Sequence, residues 1–161
     1  MHNKPATILG INPGAKYLGL AVLQGSDLRE WGVKIIKGKW SKKKMAKIMG
    51  IIDEYVINFN SNVVCLKKID PARSSKELFI LVENIKSYCR NSDIKVYEYS
   101  IKGLEAFYST ASRLNNKKDL AQAIVMQYPI LFHELNQEHS NKNAYHIRMF
   151  EAVALASAVI R

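Results

Sequence analysis

Short apolar runs separated by turn residues make up the first quarter of the chain. Residues 6–12, 17–24 and 28–37 are rich in Ile, Leu and Val, and the turn signals Pro13-Gly14 and Gly25-Ser26-Asp27 separate them. This pattern predicts three successive strands. Because the connections are short, we expect an antiparallel meander.

From Ser41 the apolar positions take up the spacing of an amphipathic helix. They are Met45, Ile48, Ile52, Tyr55 and Phe59, with a lysine-rich face opposite. Residues 62–70, "NVVCLKKID", are apolar on both alternating faces until their end, which is typical of a central strand covered on both sides. A helix over 74–90 and a fifth strand in residues 94–100 follow, and this order predicts a right-handed parallel crossover.

Two more helical stretches, over 117–135 and 144–160, close the chain, and the polar residues 136–144 predict a loop between them. The sequence contains no internal repeat, low-complexity segment or linker. We therefore predict a single domain over residues 1–161, of the α/β class, with a mixed five-stranded sheet flanked by helices.

Lysine and arginine outnumber the acidic residues 24 to 14, which gives a formal net charge of +10. This balance favours a polyanionic partner such as nucleic acid or an anionic membrane surface, although a basic soluble protein without such a partner has the same composition. The sequence has neither a leader pattern nor a run of about 18 apolar residues, so we expect no membrane span. Cys65 and Cys89 lack the spacing of a disulfide framework or a zinc site, which predicts a reducing, cytoplasmic compartment.

Five segments of the chain contain its most distinctive sequence motifs. They are "ILGINPGAKYLGLAVL" (8–23), "VVCLKKID" (63–70), "IKVYEYS" (94–100), "NKKDLAQAIV" (116–125) and "HIRMFEAVALASAVI" (146–160). In order, they resemble the RuvC-type Holliday junction resolvases, whose first segment reads as an apolar strand, Gly-Ile-Asp-Pro-Gly, a variable turn and a second apolar strand. The resemblance implies a ribonuclease H-like fold and a homodimer that binds branched DNA.

In such resolvases four carboxylates from separate elements hold two Mg²⁺ ions that activate water and stabilise the leaving oxygen of a phosphodiester. By the resemblance, Asn12 stands in place of the first Asp, Lys67 in place of the Glu and Arg148 in place of the third acid. Glu151 replaces the final Asp and keeps its charge. Strand alternation turns Asp70 away from Lys67, and no second acid is obviously aimed at Asn12. These four positions hold one carboxylate, one amide, one ammonium and one guanidinium, so their net charge is positive before any metal binds. We therefore expect a degenerate catalytic site without a metal cofactor.

The pattern of these replacements suggests that fixed cations substitute for the metal ions. Glu151 interrupts an apolar helix surface, with Ile147 and Leu155 as its i±4 neighbours, so a carboxylate there needs a cationic partner. We expect Arg148 to reach it along the helix, or Lys67 to reach it from the sheet. The alternatives are a surface position for Glu151 with the cations in solvent, and a rearranged one-metal site.

Lysines surround one tryptophan in "KIIKGKWSKKKMAK", residues 34–47, and predict a nucleic-acid surface, because lysines contact phosphates and an aromatic ring stacks on an exposed base. The candidates are Lys37, Lys39, Trp40, Lys42, Lys43 and Lys44, joined by Lys117, Lys118 and His146 from the family-like segments. A solvated helix start with a partly buried Trp40 is the alternative for the first group. For His146 the alternative is a helix cap or a plain surface histidine. Before Lys117 the family's glycine-rich pattern is missing, and Glu105 stands about where a further lysine is expected.

Three functional hypotheses follow. The first is a RuvC-like protein that binds nucleic acid, preferably branched DNA, and has lost metal-dependent cleavage. The second is a divergent Mg²⁺-dependent junction endonuclease with repositioned ligands, and the third is a protein-interaction module on the same scaffold. Net charge favours the first over the third, and the loss of acids favours the first over the second.

Overall fold

The computed structural model describes residues 6–108, 117–141 and 144–159, with side chains described for residues 6–108, 120–136 and 146–159. A five-stranded sheet in the order β3-β2-β1-β4-β5 forms its centre. The strands are β1 (Thr7–Asn12), β2 (Tyr17–Gln24), β3 (Asp27–Ile35), β4 (Val63–Lys67) and β5 (Lys95–Tyr99). The first three are antiparallel, and β4 runs parallel to both β1 and β5. The predicted mixed five-stranded sheet of the α/β class is therefore confirmed.

Helices cover both faces of this sheet. They are α1 (Lys42–Phe59), α2 (Lys76–Asn91), α3 (Ile101–Tyr108), α4 (Lys117–Gln127), α5 (Phe132–Asn141) and α6 (Ala144–Val159). Ser41 caps α1, because its Oγ accepts a 3.0 Å hydrogen bond from the backbone N–H of Lys44. In the part of the chain that the structure describes, no helix is long and apolar enough to cross a membrane.

Two parts of the helical prediction were wrong. The single helix expected over 117–135 is interrupted by a 3₁₀ turn at Pro129–Leu131, since proline has no N–H to continue the α-helical ladder. The expected loop over 136–144 is helical as far as Asn141, and its residues 142 and 143 lie outside the described residues. Helix α3 was not predicted at all, and residues 109–116, which separate α3 from α4, are also outside the described part.

The alternation of side chains along the central strands decides which residues meet α6. On β1, Leu9 and Ile11 belong to the core beneath α1 and α2, whereas Ile8 belongs to the core beneath α6. Asn12 shares the face of Ile8, because side chains two residues apart point the same way. By the same rule Lys67 shares the face of Cys65, which lies in the α6 core. Both polar residues therefore lie under α6 at the carboxyl ends of paired strands.

Candidate functional site

Glu151 meets the carboxyl ends of β1 and β4 beneath helix α6. Its side chain is 1% exposed, and its Oε1 accepts a 2.7 Å hydrogen bond from Nδ2 of Asn12. The Nζ of Lys67 lies 3.8 Å from the same oxygen. The cation that Glu151 needs thus comes from the sheet, and an amide and an ammonium share one carboxylate oxygen.

Two glycines allow α6 to lie directly on the sheet. A Cβ on Gly10 would lie 2.2 Å from the carbonyl oxygen of Ala152, and a Cβ on Gly19 would lie 2.4 Å from that of Arg148. These separations are shorter than any real contact, so a larger residue at either position would push the helix away. The close approach places Arg148 and Glu151 against the end of β1.

Arg148 covers the turn that follows β1. Its Nη1 donates long hydrogen bonds of 3.4 Å to Oδ1 of Asn12 and to the carbonyl oxygen of Pro13. Gly14 lies close beneath the guanidinium, since a Cβ there would be 3.0 Å from Nη1. The described contacts therefore anchor Arg148 on the turn, and of the two cations expected as partners of Glu151, Lys67 is the one at 3.8 Å from its carboxylate.

A cleft of about 500 Å³ opens beside these residues, at the carboxyl ends of β1, β4 and β5. We call it the basic cleft; its charged lining residues are Lys67, Lys68, Arg73, Lys102, Arg148 and Asp70. Oδ2 of Asp70 lies 3.8 Å from Nε of Arg73. Lys67 and Asp70 both line this cleft, and because β4 ends at Lys67, the strand alternation that was expected to turn Asp70 away does not extend to Asp70.

Comparison of the fold with solved structures identifies the architecture. Thermus thermophilus RuvC in complex with a Holliday junction substrate superposes with a TM-score of 0.68 at 16% sequence identity, over 93% of this chain and 90% of that one. Fowlpox virus resolvase in complex with Holliday junction DNA gives a TM-score of 0.58 at 16% identity, over 95% of this chain and 97% of that one. The chain has the RuvC fold. No protein-family model matches the sequence. A search of curated proteins also finds no match.

The resemblance to RuvC-type resolvases predicts a two-metal centre, and the described residues at that place do not fit one. Magnesium is a hard cation that takes carboxylate, carbonyl and water oxygens. In the described part of the chain, no three His, Cys, Asp or Glu side chains come together to hold a metal ion. Oε1 of Glu151 already faces the amide of Asn12 and the ammonium of Lys67, so this donor set disfavours a cation.

The lysine-rich segment before and within α1 divides into exposed and structural residues. Among the predicted contact residues, Lys37, Lys39, Lys42 and Lys43 are exposed, and Trp40 is half-buried against the core beneath α1 and α2. Lys44 is 7% exposed, and its Nζ donates to the carbonyl oxygens of Ala15 and Gly38. It also lies 4.8 Å from the Trp40 ring centre. Lys44 therefore ties the segment to the β1–β2 turn and is unsuited to a phosphate contact.

The remaining sequence candidates lie away from the basic cleft or beyond the described side chains. The Nε2 of His146 is 3.5 Å from Oε2 of Glu134, and the histidine side chain is 12% exposed, so it joins α6 to α5. This contact with α5 disfavours the predicted phosphate contact by His146. Helix α4 begins at Lys117, but the side chains of Lys117 and Lys118 are outside the described part.

Sequence reasoning missed three residues of the basic cleft: Lys68, Arg73 and Lys102. A usable signal was present, because each follows the carboxyl end of a parallel strand, where open α/β sheets bind their ligands. Their spatial grouping depends on the β4–β5 pairing, in which Lys67 lies opposite Tyr99.

Proposed function

We propose that this protein binds nucleic acid, with branched DNA as its preferred form, and no longer performs metal-dependent phosphodiester cleavage. The observation that carries the proposal is the contact of Lys67 and Asn12 with the single carboxylate of Glu151. A two-metal nuclease needs several carboxylates at this place to hold its ions. Here an ammonium occupies the position beside the carboxylate instead.

Two further features support a nucleic-acid partner. The fold is that of RuvC and of a poxvirus resolvase, and both of those proteins have been solved with Holliday junction DNA. The net charge of +10 and the exposed Lys37, Lys39, Lys42 and Lys43 suit a polyanion, since lysines release counterions from phosphates on binding.

We also propose a homodimer, because a four-way junction offers two equivalent faces to a two-fold assembly. Sedimentation of the free protein tests that state; a monomer at micromolar concentration contradicts it.

A labelled synthetic four-way junction tests both parts of the proposal. The protein is incubated with the junction, or with a linear duplex of the same arm sequence, in Mg²⁺ or Mn²⁺. Native gels report binding and denaturing gels report cleavage from the same tubes. We expect the junction to be bound in preference to the duplex and to stay intact. Metal-dependent nicks at fixed positions would overturn the loss of cleavage, and equal binding of junction and duplex would overturn the preference for branched DNA.

A pair of double variants locates the lysine surface. Lys42→Gln with Lys43→Gln removes two exposed charges at the start of α1. Arg90→Gln with Lys95→Gln removes two exposed charges at the end of α2 and the start of β5, on the opposite edge of the sheet. We expect the first pair to weaken junction binding by about tenfold and the second pair to leave it within about twofold. Equal effects would contradict a binding surface at residues 37–43.

A further inference from the structure

We propose that the basic cleft binds a phosphate group of a nucleic-acid strand directly, with fixed ammonium and guanidinium groups where a metal-dependent nuclease uses metal ions. The inference rests on the proposed function for the source of the phosphate. It assigns a site and a ligand to a part of the molecule separate from the lysine surface of residues 37–43.

The charges around the cleft leave a local excess of positive charge. Glu151 balances Lys67 at 3.8 Å, and Asp70 balances Arg73 at the same separation. Arg148, Lys68 and Lys102 remain as further cations among the described lining residues. An anion that enters the cleft therefore meets attraction from several sides, whereas a metal cation meets repulsion.

Lys67 lines the cleft while Glu151 holds its ammonium in place. Its ammonium has three N–H donors, and Glu151 holds it from the buried side. The side chain is 20% exposed and lines the cleft. Glu151 thus acts as a positioning residue that holds the cation without neutralising the cleft as a whole.

Arg148 supplies the geometry that favours phosphate. Both hydrogen bonds that its guanidinium donates to described residues leave from Nη1, to Asn12 and to Pro13. Its Nη2 and Nε retain N–H groups for a ligand, and a guanidinium edge matches two oxygens of one phosphate. Anchored on the turn after β1, the side chain loses little freedom when a phosphate binds.

The size and walls of the cleft favour a phosphate within a strand over a free phosphate ion. A volume of about 500 Å³ exceeds what one phosphate needs. Ile69, Leu78 and Ile101 add apolar surface to the lining, on which a sugar or a base can lie. A nucleotide segment uses both the cations and the apolar wall.

The first test removes two charges from the cleft without touching the Lys67–Glu151 pair. Lys68→Gln with Lys102→Gln changes two exposed side chains, and Arg90→Gln with Lys95→Gln is the charge-matched control. Junction affinity is measured over a series of salt concentrations. We expect the cleft variant to bind at least about tenfold more weakly than the control, with a slope of log K against log[salt] that is shallower by about 1. Wild-type affinity should not rise when EDTA is replaced by Mg²⁺ at matched ionic strength.

A second variant separates geometry from charge. Arg148→Lys keeps the positive charge but loses the forked N–H groups. We expect about fivefold weaker junction binding with an unchanged salt slope, in a protein whose melting temperature stays near that of the wild type. Affinity equal to that of the wild type would contradict the role of the guanidinium edge.

The outcomes distinguish the inference from the function on which it rests. If the wild type binds the junction and the cleft variant matches the control in affinity and slope, the inference is overturned while nucleic-acid binding stands. If the wild type binds neither junction nor duplex, the proposed function fails, and so does a strand as the ligand. Melting in sodium phosphate against sodium chloride at matched ionic strength then tests the phosphate chemistry alone. A stabilisation that the cleft variant lacks would support a phosphate site for free phosphate; no stabilisation would overturn the site.

Discussion

Asn12, the last residue of the first strand, donates a 2.7 Å hydrogen bond to Glu151 in the last helix. Both side chains are almost fully buried, at 0% and 1% exposure. An amide suits this place because it donates to the carboxylate, whereas an aspartate at position 12 would set a second negative charge against it. The replacement of the expected acid by Asn12 is thus consistent with the retention of Glu151.

Replacing Glu151 by Gln should destabilise the protein. The change keeps the shape of the side chain but removes the charge that faces Lys67, and we expect a loss of about 2 kcal/mol in the free energy of unfolding. Urea denaturation measures it. Glu83→Gln is the control, because Glu83 also pairs with a lysine, Lys86, at 3.5 Å, but its side chain is 46% exposed. A loss of only a few tenths of a kcal/mol for Glu151→Gln would contradict the importance of the buried pair.

Replacing Gly10 by Ala should strongly disturb the contact between β1 and α6. The added Cβ would lie 2.2 Å from a backbone oxygen of Ala152, so the helix must move. We expect a loss of about 3 kcal/mol or more, or a failure to fold. Gly32→Ala in β3 meets no atom within 4 Å and should stay within about 0.5 kcal/mol of the wild type. Thermal melting of the two variants side by side decides; equal stability would contradict the close packing.

Replacing Lys44 should lower the stability of the protein, whereas replacing its neighbour Lys43 should lower junction binding. Lys44→Met leaves the carbonyl groups of Ala15 and Gly38 without their buried donor, so we expect a loss of about 1–3 kcal/mol in unfolding free energy. Lys43→Met changes an exposed side chain and should stay within about 0.5 kcal/mol. Lys43→Met should instead weaken junction binding. A stable Lys44→Met variant would show that the two hydrogen bonds contribute little.

Restoring the expected acids should create a metal site. Asn12→Asp, Lys67→Glu and Arg148→Asp together would place three carboxylates beside that of Glu151, two at the ends of β1 and β4 and one on α6. Their mutual repulsion is relieved by a divalent cation, so we expect Mn²⁺ or Mg²⁺ to raise the melting temperature of the triple variant and not that of the wild type. Calorimetric titration with Mn²⁺ gives the affinity. A folded triple variant without metal affinity would mean that these positions do not form one site.

The two thiols should be unreactive in the native protein. Cys65 and Cys89 are buried and free, and burial raises the pKa of Cys65 to about 12 and that of Cys89 to about 11. Because the thiolate is the reactive form, we expect no reaction with a disulfide reagent at pH 8, and complete reaction of both thiols after unfolding in guanidinium. Rapid labelling of the native protein would contradict the described burial.

The positions of the strands were largely predictable because they depend on local patterns. β1 and β2 fall within one residue of the predicted runs, and β4 and β5 lie inside theirs. The alternation of side chains along β1 places Asn12 on the other face of the sheet from Leu9 and Ile11, and six consecutive residues carry this information. The helical region was less predictable. Pro129 breaks it where the apolar spacing continues, and α3 lies in a stretch without a strong pattern.

The candidate site was predictable in part. Glu151 stood out because it interrupts an apolar helix, and its need for a cation follows from burial. Which side chains contact its carboxylate depends on long-range packing, since Asn12, for example, is 139 residues away from Glu151 in sequence. Lys44 was indistinguishable from its exposed neighbours in sequence, and only the positions of Ala15 and Gly38 make it a buried donor.

By itself, the sequence determined the order of the elements, the basic net charge and the loss of the expected acids, because these are properties of consecutive residues. The tertiary structure alone decided that Lys67, Arg148, Lys68 and Lys102 line one cleft. The physical reason is the close contact of α6 with Gly10 and Gly19, together with the parallel pairing of β4 with β1 and β5. These contacts bring the ends of distant segments to one edge of the sheet, where their charges act together.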